Sequence, residues 1–188
     1  CEKGHIEIVK LLLNDQRVDV NLGDKQGRTP FHVACEKGYI EIVKLLLNDK
    51  RVDIIKVNND GESPFWITCQ EGRIEIVELL LNDGRVEVNR ANKNGTTPFY
   101  VACSEGLLKV VRILLEKDRI DINSANNTGK TPFFVTCFNG HTDIVKLLLN
   151  DKRATISKVT KNGESSFYIA CQNGHHEIVK LLLNDERV

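Results

Sequence analysis

Cys1, Cys35, Cys69, Cys103, Cys137 and Cys171 follow one another at a constant step of 34 residues. Glycines keep the same step at 38, 72, 106, 140 and 174, and again at 27, 61, 95, 129 and 163. Self-similarity at a period of roughly 20–50 residues marks a chain of stacked supersecondary units, because one such unit cannot bury its apolar face alone. The 188 residues therefore divide into full units at 24–57, 58–91, 92–125 and 126–159, with partial units at 1–23 and 160–188, in a single expected array. Both partial units break off mid-pattern: Cys1 matches Cys35, and Val188 matches Val52. Ile6, Ile8, Val9, Leu12 and Leu13 are as apolar as their interior counterparts. A piece of a longer array is expected, whose uncapped ends either associate end to end or fray at residues 1–22 and 176–188.

One unit shows the local logic. Asp24-Lys25-Gln26-Gly27 is a turn, with the glycine free to take positive φ. Thr29 is placed to cap a helix and Pro30 to begin it, since the first helical N–H has no partner to lose. The helix should run from Pro30 to Lys37 and stop at Gly38 in the left-handed region. A second helix is predicted over Ile40–Asn48. Its polar residues, Glu41, Lys44 and Asn48, fall on one stripe, and apolar residues fill the rest. Glu41 and Lys44, like Glu7/Lys10, Asp143/Lys146 and Glu177/Lys180, are spaced to pair along that stripe. After Asn48-Asp49, the stretch Arg51-Val52-Asp53-Ile54 is expected to run extended into the next turn.

Composition removes several function classes. Twenty-six basic and 26 acidic residues cancel, so the basic stripe of a nucleic-acid binder is missing. No apolar run approaches the length of a membrane span or a secretory signal. The cysteines occupy one slot per unit. Successive copies in a helical stack lie about 10 Å apart, whereas a disulfide needs Cα atoms about 5.5 Å apart. They read as small buried thiols of an intracellular, cytoplasmic protein. Cys1/His5, Cys137/His141 and Cys171/His175 have a four-residue spacing, but Cys-x-x-Cys is absent and half the units lack the histidine. Neither a metal site nor a cofactor is implied. No singular group of nucleophile, base and carboxylate interrupts the repeat, so no enzyme is expected.

Glycine, Thr29-Pro30-Phe31-His32, Ala34-Cys35, Gly38, Leu45-Leu46 and Asp19-Val20-Asn21 together resemble the ankyrin repeat along the whole chain. The tetratricopeptide repeat shares the 34-residue period, but its tryptophan, Leu-Gly and tyrosine positions do not recur. The extra residue relative to the usual ankyrin period of 33 is assigned to the loop after the second helix, around Asn48–Val52. Departures occur at Ser165-Ser166 in place of Thr-Pro, and at Ile55 and Ser157 in place of asparagine. Trp66, Tyr100, Phe134 and Tyr168 replace the motif histidine, and large apolar side chains there are expected to fill space between units.

The resemblance implies an all-α solenoid of stacked helix-turn-helix units joined by β-hairpin-like loops. It also implies a protein partner, met by the turn tips and the concave side of the first helices. The sequence varies most at those places. The candidate contacts are Lys25, Gln26 and Arg28; Asn59, Asp60, Glu62, Gln70 and Glu71; Lys93, Asn94, Ser104 and Glu105; and Asn127, Lys130 and Phe138. Phe138 stands out as an apolar residue at an otherwise polar position. Asn21 and Asn89 match the asparagines that intracellular hydroxylases modify in this family. Residues 58–91 hold three basic and seven acidic groups, a net of −4, against five and two, a net of +3, in 126–159. The expected function is a non-catalytic scaffold that binds a protein partner, without nucleic acid or membrane. A structural spacer, or a regulatory segment of a larger enzyme, is the alternative.

Overall fold

The computed structural model describes residues 3–187. It falls into two compact units, Cys1–Lys93 and Asn94–Val188. The first holds helices α1 (Ile6–Asn14), α2 (Pro30–Lys37), α3 (Ile40–Asn48), α4 (Pro64–Gln70) and α5 (Ile74–Leu81). The second holds α6 (Pro98–Ser104), α7 (Leu108–Leu115), α8 (Pro132–Asn139), α9 (Thr142–Asn150), α10 (Ser166–Gln172) and α11 (His176–Leu183). No strand occurs among the described residues. Within each unit the helices form two layers. First helices pack on first helices, α2 on α4 and α8 on α6 and α10, while second helices pack on second helices, α3 on α1 and α5, and α9 on α7 and α11.

The repeat boundaries follow from backbone chemistry. A hydroxyl caps every first helix by accepting the N–H three residues on: Thr29 from His32, Ser63 from Trp66, Thr97 from Tyr100, Thr131 from Phe134 and Ser165 from Tyr168. Gly38 ends α2 at φ +78°. The bounds of α2 and α3 are those the sequence predicts. In α10, where Ser166 replaces proline, the cap survives without the ring. The cost is a buried Ser166 hydroxyl oxygen with no hydrogen-bond partner.

The core of a repeat is Phe31, Ala34 and Cys35 from the first helix with Ile42, Val43 and Leu46 from the second, all at 2% exposure or less. Glu41–Lys44 and Glu7–Lys10 pair on the outer stripe at 2.7 Å, and Glu177–Lys180 at 3.0 Å. Such exposed pairs contribute little, so burial holds the stack. Cys35, Cys69, Cys103 and Cys137 are buried and unpaired. Desolvation pushes Cys35, Cys103 and Cys137 up to about 12, and Cys69 also upward, leaving inert thiols. Cys171 corrects the expectation of uniformly buried thiols. It is exposed, because among the described residues no further repeat packs on the side of α10 away from α8. Cys1 lies outside the described residues.

The same cause separates Tyr168 from the other aromatic positions. His32, Trp66, Tyr100 and Phe134 are buried, whereas Tyr168 is 52% exposed. At the other end, Ile8, Leu11 and Leu12 of α1 are exposed beside a shallow apolar cleft lined by Leu13, Val18 and Pro30.

The loop after the second helix differs from its sequence expectation. It does not run extended. Val52 N–H donates to Asp49 O at 3.0 Å and Arg51 N–H to Asp49 Oδ1 at 3.0 Å, closing a turn. That turn aims the Arg51 guanidinium, itself held by Asp49, at the carbonyl of Leu13 at 2.5 Å. Arg85 reaches Leu47 O, Arg153 reaches Leu115 O and Arg187 reaches Leu149 O in the same way. Each arginine thus meets the partially negative, otherwise unpaired C-terminal end of the preceding second helix. The guanidinium in turn holds the carboxyls of Asp49, Asp83, Asp151 and Asp185 below the usual range. This clamp recurs wherever the Asp-x-Arg turn follows a second helix at Asp49, Asp83, Asp151 and Asp185.

His32 combines a cap with a link between repeats. Its Nδ1 accepts Thr29 N–H at 3.1 Å and its Nε2 faces Glu62 O at 3.2 Å, a pattern that fits only the neutral ring with its proton on Nε2. Burial holds its pKa below the ordinary value of 6.5. Below that ordinary value the unfolded chain takes up a proton that the folded chain refuses. Stability is therefore complete above the ordinary value and falls as pH drops from it towards the folded pKa. Urea melts at pH 7.5 and pH 5.5 should show the loss, with at most about 1.4 kcal/mol per pH unit from this group. His32→Asn should be less stable at pH 7.5 but flatter with pH, and an unchanged slope would exclude His32 as its source.

Candidate binding surface

Each turn tip is organised by the side chain that opens it. Asp24 Oδ1 accepts the N–H groups of Gln26 and Arg28, and Asn58 Oδ1 those of Asp60 and Glu62, all at 2.9 Å. Asn126 Oδ1 accepts from Thr128 and Lys130 at 3.0 Å. The tips are then joined through the backbone. In the first unit Asn59 N–H donates to Gln26 O at 2.9 Å and Lys93 N–H to Asp60 O at 3.0 Å. In the second, Asn127 N–H donates to Asn94 O at 3.0 Å and Lys161 N–H to Thr128 O at 3.1 Å. The main chain at the tips is fixed, and the side chains project from it.

The candidate contact residues separate into two kinds. Lys25, Gln26, Asp60, Glu71, Lys93, Asn94, Glu105, Asn127 and Phe138 are exposed, and Gln70, Ser104 and Lys130 are half-buried. Others support the framework. Asn59 is exposed, but its amide donates to Lys25 O at 3.0 Å. Glu62 accepts Asn58 Nδ2 at 2.8 Å through its carboxylate and faces His32 through its carbonyl. Arg28 lies between Asp24 at 2.9 Å and Glu36 at 2.7 Å, and Glu36 also holds Lys37 at 2.7 Å. The Arg28 backbone N–H lowers the Asp24 pKa most, and the Lys37 ammonium lowers that of Glu36.

Lys130 occupies the Arg28 position in its own repeat, with different neighbours. Asn126 replaces Asp24 and Phe138 replaces Glu36. Its ammonium lies 5.1 Å from the Phe138 ring centre and 5.7 Å from that of Phe134. Phe138 is 40% exposed and Phe134 is buried.

Asn21 spends its amide on the structure: Nδ2 donates to Arg51 O at 2.6 Å, and Oδ1 accepts Asp53 N–H at 2.7 Å. Asn123 makes the same pair of bonds to Arg153 O and Thr155 N–H. Asn89 is exposed.

Two histidines of the Cys–His pairs, His141 and His175, have structural work. His141 Nε2 faces Ser104 O and His175 Nε2 faces Phe138 O, each at 2.9 Å, while the Cys137 thiol is buried within α8. Arg73 Nε donates to Glu36 O at 2.9 Å in the equivalent place. These groups satisfy the last carbonyls of the preceding first helix. Among the described residues, no group of three or more His, Cys, Asp or Glu is placed to hold a metal ion. None of their helices is long and apolar enough to cross a membrane.

Sequence reasoning missed the arginine clamp and the framework duties of Arg28, Asn59 and Glu62. The clamp had a signal, since arginine recurs at 17, 51, 85, 119, 153 and 187.

Comparison with known proteins agrees with this geometry. A family model for ankyrin repeats, three copies, matches residues 1–58, 50–126 and 119–188. The crystal structure of EF0377, an ankyrin repeat protein, aligns with a TM-score of 0.87 and 30% identity, covering 97% of this chain and 93% of that one. Since 529 solved chains match, the likeness identifies a scaffold rather than one activity. No curated protein matches the chain.

Proposed function

Because the chain belongs to the ankyrin repeat family, whose members are generally protein-interaction modules, we propose that it is a non-catalytic scaffold that binds a protein partner through its tips and first helices. The supporting observation is the fixed tip backbone, joined tip to tip by N–H···O bonds at 2.9–3.1 Å, beneath exposed side chains that differ from repeat to repeat. A surface whose main chain is already ordered loses little conformational entropy on binding, and its specificity resides in the variable side chains.

The test uses a variant with Lys25, Gln26, Asp60, Gln70, Glu71 and Glu105 all changed to alanine, which leaves the capping hydroxyls and tip bonds in place. Parent and variant, matched in helical signal and melting temperature, are each used to capture proteins from cell extract. Captured proteins are then purified and titrated calorimetrically. A protein that binds the parent directly and loses at least tenfold in affinity for the variant supports the scaffold. If nothing binds directly, or parent and variant bind alike, the spacer reading takes its place.

A further inference from the structure

Two repeats place a cation at the same position and treat it in opposite ways. Arg28 is neutralised inside its own repeat, by Asp24 at 2.9 Å and Glu36 at 2.7 Å. Lys130 has neither carboxylate, since Asn126 and Phe138 stand in their places. Among the described residues no carboxylate pairs with Lys130, whose ammonium lies 5.1 Å and 5.7 Å from two aromatic ring centres. The surrounding repeat, 126–159, carries five basic and two acidic groups. Phe138, 40% exposed, adds an apolar face next to this charge.

We infer that Lys130 and Phe138 form a docking point for an acidic peptide segment of the partner, a carboxylate meeting the Lys130 ammonium while an adjacent apolar side chain covers the Phe138 ring. This rests on the protein-binding reading above and specifies the partner's chemistry. The aromatic rings orient the ammonium through their negative faces without neutralising it. They also provide a partly desolvated wall against which an ion pair is stronger than in open water. A partly exposed phenylalanine is the kind of aromatic side chain enriched at protein interfaces. A basic or neutral segment would leave the cation uncompensated, so the site also selects against those partners.

The position is suited to a decisive test, because among the described residues the Lys130 side chain enters no ion pair and the Phe138 ring is 40% exposed. The Phe138 carbonyl, which accepts from Asn173 and His175, and the Lys130 N–H, which donates to Asn126, are main-chain groups retained in any substitution. The whole chain is immobilised and used to select from a random twelve-residue peptide library displayed on phage. Lys130→Glu, Lys130→Gln and Phe138→Ala are run in parallel after their melting curves are matched to the parent. Peptides enriched by the parent should carry Asp or Glu beside an aliphatic or aromatic residue. Synthetic copies should bind Lys130→Glu and Phe138→Ala at least about tenfold more weakly, the loss typical of a hot-spot residue. Lys130→Gln should fall between, and the parent's affinity should decrease with added salt.

A consensus without acidic residues, or peptides that bind all four proteins equally, overturns the inference and leaves the scaffold reading to the extract experiment. Failure to enrich any peptide also overturns it, since a linear acidic segment is all that the site requires. Competition by single-stranded DNA at equal phosphate and carboxylate concentration would assign the cation to nucleic acid and overturn it as well.

Discussion

Phe65→Ala is expected to lower the unfolding free energy by about 3–5 kcal/mol, the range for truncating a buried phenylalanine. Phe65 is 2% exposed within α4, which packs on α2 in the first layer and contacts α5 in its own repeat. Its ring fills space that α2, α4 and α5 cannot close, because their caps and turn bonds fix them. The loss therefore contains both the transfer of the ring to water and the cavity left behind. Phe138→Ala removes the same group from a position that is 40% exposed and leaves no enclosed cavity, and should cost no more than about 1–2 kcal/mol. Denaturant melts of both variants measure the contrast. Repeats are coupled only to their neighbours, so amide exchange in Phe65→Ala should accelerate in α2–α5 first. Equal losses in the two variants would mean that Phe138 is a core residue, and the docking surface argued for it would have no basis.

The periodic part of this fold is legible in the sequence because its causes are local. Thr29-Pro30 caps and starts a helix and Gly38 stops it, whatever lies nearby, so the bounds of α2 and α3 follow from the residues themselves. The alternation of Ile42, Val43 and Leu46 with Glu41 and Lys44 likewise places one helix face without knowledge of its neighbour. What was not legible depends on a partner one repeat away. Asp49-Lys50-Arg51 reads as a polar loop until its turn forms and directs the guanidinium at Leu13, 38 residues earlier. Arg28 and Phe138 were both candidates because each occupies a variable slot. Only the geometry separates a cation held by Asp24 and Glu36 from an aromatic ring that is exposed beside an uncompensated one. Tyr168 and Cys171 show the reverse error. Their repeat pattern predicts burial, but burial is a property of the adjacent repeat, and among the described residues none covers them.

The tips supply the second large effect, and a pair of glycines isolates its origin. Gly27 and Gly163 occupy equivalent positions at φ +77° and +80°, a region that costs an L-residue about 1–2 kcal/mol. They differ in surroundings. A Cβ on Gly27 would lie 2.5 Å from Asn59 Oδ1 and 3.0 Å from Asn59 N, whereas one on Gly163 would meet nothing within 4 Å. Gly163→Ala should therefore cost only the backbone term. Gly27→Ala should also displace the neighbouring tip and break its bonds to Gln26 O and Lys25 O, for a total of about 2–4 kcal/mol. Melting curves give the totals, and amide exchange at Asn59, fast in Gly27→Ala and slow in Gly163→Ala, identifies the bond that was lost. The same displacement moves Asn59 and Asp60, so partner affinity should fall with Gly27→Ala even though no partner-facing side chain has changed. If instead both variants lose the same stability and Asn59 stays protected in each, the tip-to-tip bonds contribute nothing. The ordered main chain could not then explain why binding at the tips costs little entropy, and recognition would have to come from the first helices alone.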